Sequence, residues 1–208
     1  MIAVLDYGIG NLRSAEKALQ HVGGDARLVT TAEEADGASG VVLPGVGAFG
    51  ACMRALRSSG LDRVALDAVD RGTPFLGVCV GMQLLFEGSD EDEDEKGLGV
   101  LAGRVRLLPA TVKRPQMQWN RLQPTALGED DPLLAQIAPD GEPWVYFVHS
   151  YAAEETDDVT ATCDYGGSVV ASVGRDALWA MQFHPEKSGI VGLRLLRNFV
   201  AVCSERAA

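Results

Sequence analysis

The chain has 208 residues, 47% of them apolar, and a formal net charge of −11, enough for one domain with a sizeable core and unsuited to nucleic acid or an anionic membrane as the main partner. No apolar run approaches the ~18 residues of a membrane helix, and no basic leader precedes Met1-Ile2-Ala3-Val4. Four scattered cysteines without a C-x-x-C pair read as reduced thiols of a cytoplasmic protein, and three histidines with no ligand spacing give no metal site.

Along the chain, Ile2–Leu5 reads as a buried strand that runs through Asp6 into the turn at Gly8-Ile9-Gly10. Asn11 is expected to cap a helix carrying Leu12, Ala15, Leu19 and Val22, which Gly23-Gly24 ends. Leu28-Val29 is a second strand, and Thr31-Ala32-Glu33-Glu34 is a capping box for a short helix. Val41–Leu43 is a third strand, entering the loop Pro44-Gly45-Val46-Gly47-Ala48-Phe49-Gly50, and helix fills the fifties and sixties. Phe75–Val78 is a fourth strand, followed by Cys79 and a further helix-like stretch. Apolar strands alternating with helices imply βαβ units and a mostly parallel sheet covered on both faces. The six acids Asp90–Glu95 read as a solvated loop or a docking patch for a basic partner. Beyond them, short strands follow at 104–108, 118–122, 144–148, 159–163, 169–173 and 178–182, a meander expected to fold onto the first sheet. A helix from Gly189 to about Cys203, capped by Ser188, ends the pattern. Residues 1–208 are therefore expected to form a single α/β domain: a mostly parallel central sheet flanked by helices, with a second, small, mainly antiparallel sheet in the C-terminal half.

Gly77-Val78-Cys79-Val80-Gly81 is the cysteine counterpart of a nucleophile elbow. The nucleophile of such an elbow occupies a strained turn, and the glycines let strand and helix approach without Cβ clashes. The helix N-terminus then favours a thiolate, and the Val80 N–H can donate to an oxyanion. The same pattern also fits a buried cysteine in a tight βα turn. Among candidate bases, His21 ends an amphipathic helix, His149 ends a strand, and His184 lies in Gln182-Phe183-His184-Pro185-Glu186. Pro185 holds His184 extended, so Glu186, two residues on, is expected on the same side, where it can orient the ring. Alone, His-x-Glu equally suits an ordinary strand end; with the elbow it makes a Cys79-His184-Glu186 triad.

With Gly77–Gln83 and His184-Pro185-Glu186 the sequence resembles the class I glutamine amidotransferases, whose fold is flavodoxin-like. The stretches Asp6–Leu12, Pro44–Gly50, Phe147–Tyr151 and Phe183–Ser188 are similar to those of the glutaminase subunits of imidazole glycerol phosphate synthase. The resemblance runs from residue 1 to about 200. It implies hydrolysis of glutamine to glutamate and ammonia by Cys79, His184 and Glu186 without a cofactor. It places oxyanion donors at the backbone N–H groups of Val46 and Val80, with Val46 in a loop able to turn its peptide over when a partner signals. It places glutamine recognition at Gly45, Gly47, Gln83, Ser150 and Tyr151, of which the last two also suit strand-end packing. The ammonia would pass to a separate (βα)₈-barrel cyclase subunit that makes imidazole glycerol phosphate and aminoimidazole carboxamide ribotide for histidine biosynthesis. Asn11, Trp119 and Lys187 match positions near that interface, though Trp119 also suits a core and Lys187 a plain surface. The family's Pro-His-Met-Gly-Trp-Asn stands here as Pro115-Gln116-Met117-Gln118-Trp119-Asn120, a departure close to the implied interface. Rival readings are another class I glutaminase, such as the pyridoxal phosphate synthase subunit, a free-standing cysteine hydrolase or γ-glutamyl peptidase, and a non-catalytic module on the same scaffold.

Overall fold

The computed structural model describes residues 1–206. In chain order the N-terminal half contains β1 (Ile2–Leu5), α1 (Leu12–His21), β2 (Ala26–Val29), α2 (Ala32–Ala35), β3 (Gly40–Gly45), α3 (Phe49–Ser59), α4 (Leu61–Asp70), β4 (Phe75–Cys79) and α5 (Val80–Gln83). The C-terminal half contains β5 (Gly88–Ser89), β6 (Asp92–Lys96), β7 (Arg104–Leu107), β8 (Gln116–Arg121), β9 (Gln123–Pro124), α6 (Ala126–Glu129), β10 (Trp144–His149), β11 (Tyr151–Ala153), β12 (Val159–Asp164), β13 (Ser168–Arg175), β14 (Leu178–Met181), a 3₁₀ turn at Pro185–Lys187 and α7 (Gly189–Arg206).

The main sheet has the order β2-β1-β3-β4-β14-β13-β12-β9. Its first five strands run parallel and the last three antiparallel. β1, β3, β4 and β14 are buried along their whole length, because a parallel strand covered by helices on both faces has no side to give to water. The C-terminal strands therefore differ from expectation in placement. β14, β13, β12 and β9 do not form a layer over the first sheet; they extend it edge to edge, since the exposed side of β4 still had backbone donors and acceptors to pair. Two smaller sheets are separate: antiparallel β10-β8, and β11-β7-β5-β6, antiparallel except for β5 with β7.

Several local expectations resolve differently. Thr31 caps α2 by accepting from the Glu34 N–H at 3.3 Å, but the Glu34 carboxylate answers Thr30 instead. Asn11 occupies the cap position of α1 without any side-chain cap bond. Ser188 does not cap α7 with its hydroxyl: its Oγ donates to the His184 carbonyl at 2.6 Å and accepts from the Tyr146 N–H at 3.0 Å, tying α7's approach to β10. The acidic run is not a loose loop. Residues 92–95 lie in edge strand β6, where Asp92 and Glu95 pair with Arg54 and Arg57 of α3, and Asp90 pairs with Arg106 at 2.8 Å. Arginines from other elements thus neutralise charges that looked unpartnered in sequence.

Candidate active site

Cys79 is the last residue of β4 and has φ 56° and ψ −113°, a conformation that side chains avoid unless the surroundings impose it. The flanking glycines show what imposes it. A Cβ at Gly81 would lie 1.8 Å from the Leu43 carbonyl oxygen of β3, and one at Gly77 would crowd Ala180 of β14 at 3.1 Å. The elbow is thus pressed between the two neighbouring strands. The helix after it, α5, is a single turn, so the dipole expected from a longer helix is reduced to the free N–H groups of its first turn. Val80 N–H, the first of these, has no intrahelical carbonyl to bond.

Register then delivers the remaining groups. Gly45, at the end of β3, sits opposite Cys79, which brings Val46 and Gly47 beside the sulfur. On the other side Val78 is opposite Met181, so the continuation of β14 carries Gln182 and His184 past the elbow. His184 is buried, and its Nδ1 lies 2.9 Å from Glu186 Oε1. Glu186 reaches the ring through the 3₁₀ turn and not by strand alternation, because Pro185 opens a tight turn immediately after His184. Burial alone lowers the His184 pKa, but hydrogen bonds and charge from Cys79 and Glu186 outweigh it, and the ring is pushed up to about 9. A protonated imidazole is what a buried carboxylate requires here: Glu186 Oε2 has no hydrogen-bond partner among the described residues. The other thiols are held protonated by burial, Cys163 up to about 11 and Cys203 up to about 12, with Cys52 also raised.

These groups open on a cleft of about 380 Å³. Cys79 is only 4% exposed, so the sulfur lies at the floor of the cleft and not on a prominent tip. Val46, Gly47, Gln83, Ser150, Tyr151 and Lys187 line the same cleft, whereas Gly45 lies beneath it, packed against Gly81 and the Tyr7 hydroxyl. Two buried side chains hold the loop from below: Tyr7 donates to the Pro44 carbonyl at 2.7 Å and the Cys52 thiol to the Val46 carbonyl at 3.3 Å. Trp119 is not core. It is half exposed, set edge-on to Tyr146, on the same face of β8 as the exposed Met117. Asn11 is exposed at α1's start and borders a small void behind Glu186.

Glu91 was not singled out from the sequence, and His149 was read there only as one of three candidate bases. Glu91 lies in the turn between β5 and β6, lines the cleft, and accepts from the Phe49 N–H at 2.7 Å. Its signal was hidden inside a run of six acids. His149 lines the cleft but is committed to structure: Nδ1 is 2.8 Å from the Tyr151 carbonyl and Nε2 3.0 Å from the Gln116 amide. The carbonyl accepts only, so Nδ1 carries the proton; the Gln116 atom set against Nε2 is Oε1, and a neutral ring requires the Gln116 amide turned over so that its NH₂ donates there. Burial pushes the His149 pKa down to about 4, so it remains neutral where His184 is charged. Gln116, where the resembled family carries histidine, is fully buried as this ring's partner, while Gln118 faces outward.

The family model "Glutamine amidotransferase class-I" matches residues 3–203. The chain is 46% identical to the imidazole glycerol phosphate synthase subunit HisH of Salinibacter ruber, covering 97% of this chain and 94% of that protein. It is 44% identical to the HisH subunit of Geobacillus kaustophilus, covering 99% of each. Among solved structures, a glutamine amidotransferase superposes with a TM-score of 0.75 at 22% identity over 98% of both chains. PurLQS from Thermotoga maritima superposes with a TM-score of 0.72 at 18% identity over 100% of this chain and 98% of that one, a likeness of fold.

Proposed function

This chain belongs to the class-I glutamine amidotransferase family, and on that premise we propose how its residues carry out the reaction of a glutaminase subunit of imidazole glycerol phosphate synthase. The observation that carries the reading is that Cys79 and His184 line one cleft, with His184 Nδ1 held from behind by Glu186 at 2.9 Å. Nδ1 being so engaged, Nε2 is the nitrogen left for the sulfur. The Cys79 thiolate attacks the side-chain carboxamide carbon of glutamine, and the oxyanion is taken by the N–H groups of Val80 and Val46. His184 gives its proton to the nitrogen as the C–N bond breaks, releasing ammonia and leaving a thioester. The neutral imidazole then takes a proton from water, hydroxide adds to the thioester, and the thiolate departs as glutamate forms. Glu186 stabilises the imidazolium in both steps.

Glutamine presents an ammonium and a carboxylate besides its amide. Glu91 is the anionic group in the cleft and suits the ammonium. Both N–H groups of Gln83 are engaged, one with the Tyr151 carbonyl and one with Gln182, so its oxygen is left to accept, again from the ammonium. The backbone around Gly47 and the Ser150 and Tyr151 side chains are left for the carboxylate.

The protein is proposed to act in the cytoplasm as a single amidotransferase domain over residues 1–208, docked on a (βα)₈-barrel cyclase subunit. No helix among the described residues is long and apolar enough to cross a membrane. The exposed Met117, Trp119 and Ile190, bordered by Asn11 and Lys187, form the docking face in this reading. Direct transfer matters because ammonia released into water at neutral pH is protonated and no longer a nucleophile. The test is glutaminase activity of the chain alone, with the cyclase, and with cyclase plus its nucleotide ligand. Strong activation only in the third case supports the proposal; equal activity without the cyclase indicates a free-standing hydrolase; none in any case indicates a non-catalytic module. Ammonia release by Cys79→Ala would refute the mechanism.

A further inference from the structure

β4 and β14 are parallel neighbours with Val78 opposite Met181, and one step further along each strand sets Cys79 beside Gln182. Gln182 is fully buried. Its Nε2 lies 3.8 Å from Cys79 Sγ, and its Oε1 lies 2.9 Å from Gln83 Nε2. A side-chain amide can turn over and exchange its nitrogen for its oxygen, so which end faces the sulfur follows from the partners. The Tyr151 carbonyl fixes it. That oxygen only accepts, so the Gln83 group 3.0 Å away is the NH₂. The same NH₂ faces Gln182, whose near atom is therefore the oxygen. The Gln182 NH₂ is then on the sulfur side. His149 Nδ1–H takes the other lone pair of the Tyr151 carbonyl at 2.8 Å, which anchors the origin of the relay.

The geometry points to Gln182 as a further catalytic residue: its amide N–H donates to the Cys79 sulfur and favours thiolate over thiol, while Gln83 is a positioning residue that keeps that amide from turning over. A donor aimed at the charged form of a group stabilises that form, and more so out of water. The thioester sulfur is neutral and a weaker acceptor, so the bond is strongest when the sulfur is free. It thus stabilises the attacking thiolate and the same thiolate as leaving group when water cleaves the intermediate. Gln182 opposes His184: the sulfur has an imidazolium from one residue and a neutral donor from another, two positions apart on one strand end. What the thiolate attacks rests on the glutaminase reading; the polarity of the relay does not.

The experiment is the rate of Cys79 alkylation by iodoacetamide as a function of pH, in the isolated chain, with Cys79→Ser as the blank for the other three thiols. Gln182→Met keeps the side-chain shape without the N–H, and Gln182→Glu puts an acceptor there. The half-point of alkylation is expected to rise by about one pH unit in Gln182→Met, an ~10-fold loss of thiolate at pH values well below the half-point, and further in Gln182→Glu. Gln83→Met should move it in the same direction by less. With the cyclase present, kcat for glutamine should fall in Gln182→Met while KM changes little. Thermal melting identifies the folded variants, and if Gln182→Met does not fold, Gln182→Glu and Gln83→Met carry the test. Profiles of folded variants that superimpose on the wild type would overturn the inference. If the wild type releases no ammonia with the cyclase yet the alkylation shift appears, the glutaminase reading fails and the donor role stands.

Discussion

Replacing His149 with Asn tests whether one buried neutral ring makes this fold sensitive to mild acid. Asn can keep a donor near the Tyr151 carbonyl but has nothing to titrate. The His149 pKa is pushed from 6.5 down to about 4 by burial. The folded state therefore refuses a proton that the unfolded chain accepts, so the ring's contribution is present above 6.5 and is lost as pH falls toward 4. Between pH 7 and pH 4.5 those two values amount to about 2.5 kcal/mol of lost stability. For a chain of this size that corresponds to roughly 5–10 °C in Tm. Denaturant unfolding of wild type and His149→Asn at both pH values is the assay. Carboxylates titrating in the same window contribute to both proteins and cancel in the difference. The variant should be weaker at pH 7 and should lose about 2.5 kcal/mol less than wild type on acidification. Equal losses in the two proteins would refute the reasoning, because His149 would then titrate alike in the folded and unfolded chains.

Gly81→Ala puts a methyl group 1.8 Å from the Leu43 carbonyl, a backbone atom that cannot swing away. It should cost about 3 kcal/mol or more in chemical denaturation and abolish glutaminase activity even where the protein still folds. Glu186→Gln should reduce kcat by ~10²–10⁴ in the cyclase-activated assay. His184 is raised to about 9, so its stabilisation is complete below 6.5 and is lost as pH rises through about 9; Glu186→Gln should flatten that alkaline loss in unfolding measurements. Glu91→Gln should raise KM for glutamine ~10-fold with a smaller effect on kcat, seen in steady-state kinetics, since it removes the charge set against the ammonium. Trp119→Ala should weaken cyclase binding by about 1–2 kcal/mol in titration calorimetry and leave Tm nearly unchanged, because the ring is half exposed in the free chain.

The sequence by itself determined the alternation of strand and helix, the strained turn at Cys79 and the pairing of His184 with a carboxylate two residues on. These are local matters: apolar periodicity, glycines where a Cβ cannot stand, and a proline that fixes its predecessor. It read the main parallel strands to within a residue or two, because strands buried on both faces are apolar without interruption. It misjudged the hydroxyl of Ser188 and the acidic run, because in each a distant element supplied a deciding partner. The arginines that gather the acids come from α3 and β7, and the N–H that binds the Ser188 hydroxyl belongs to Tyr146 of β10.

Only the tertiary structure decided which strands lie side by side. Placing β14 against β4 carries His184 past the sulfur and makes Gln182 its neighbour, and the separate β5-β6 turn brings Glu91 to the cleft. Strand order and register are set by the summed burial and hydrogen bonding of whole elements, and no single stretch of sequence contains that sum.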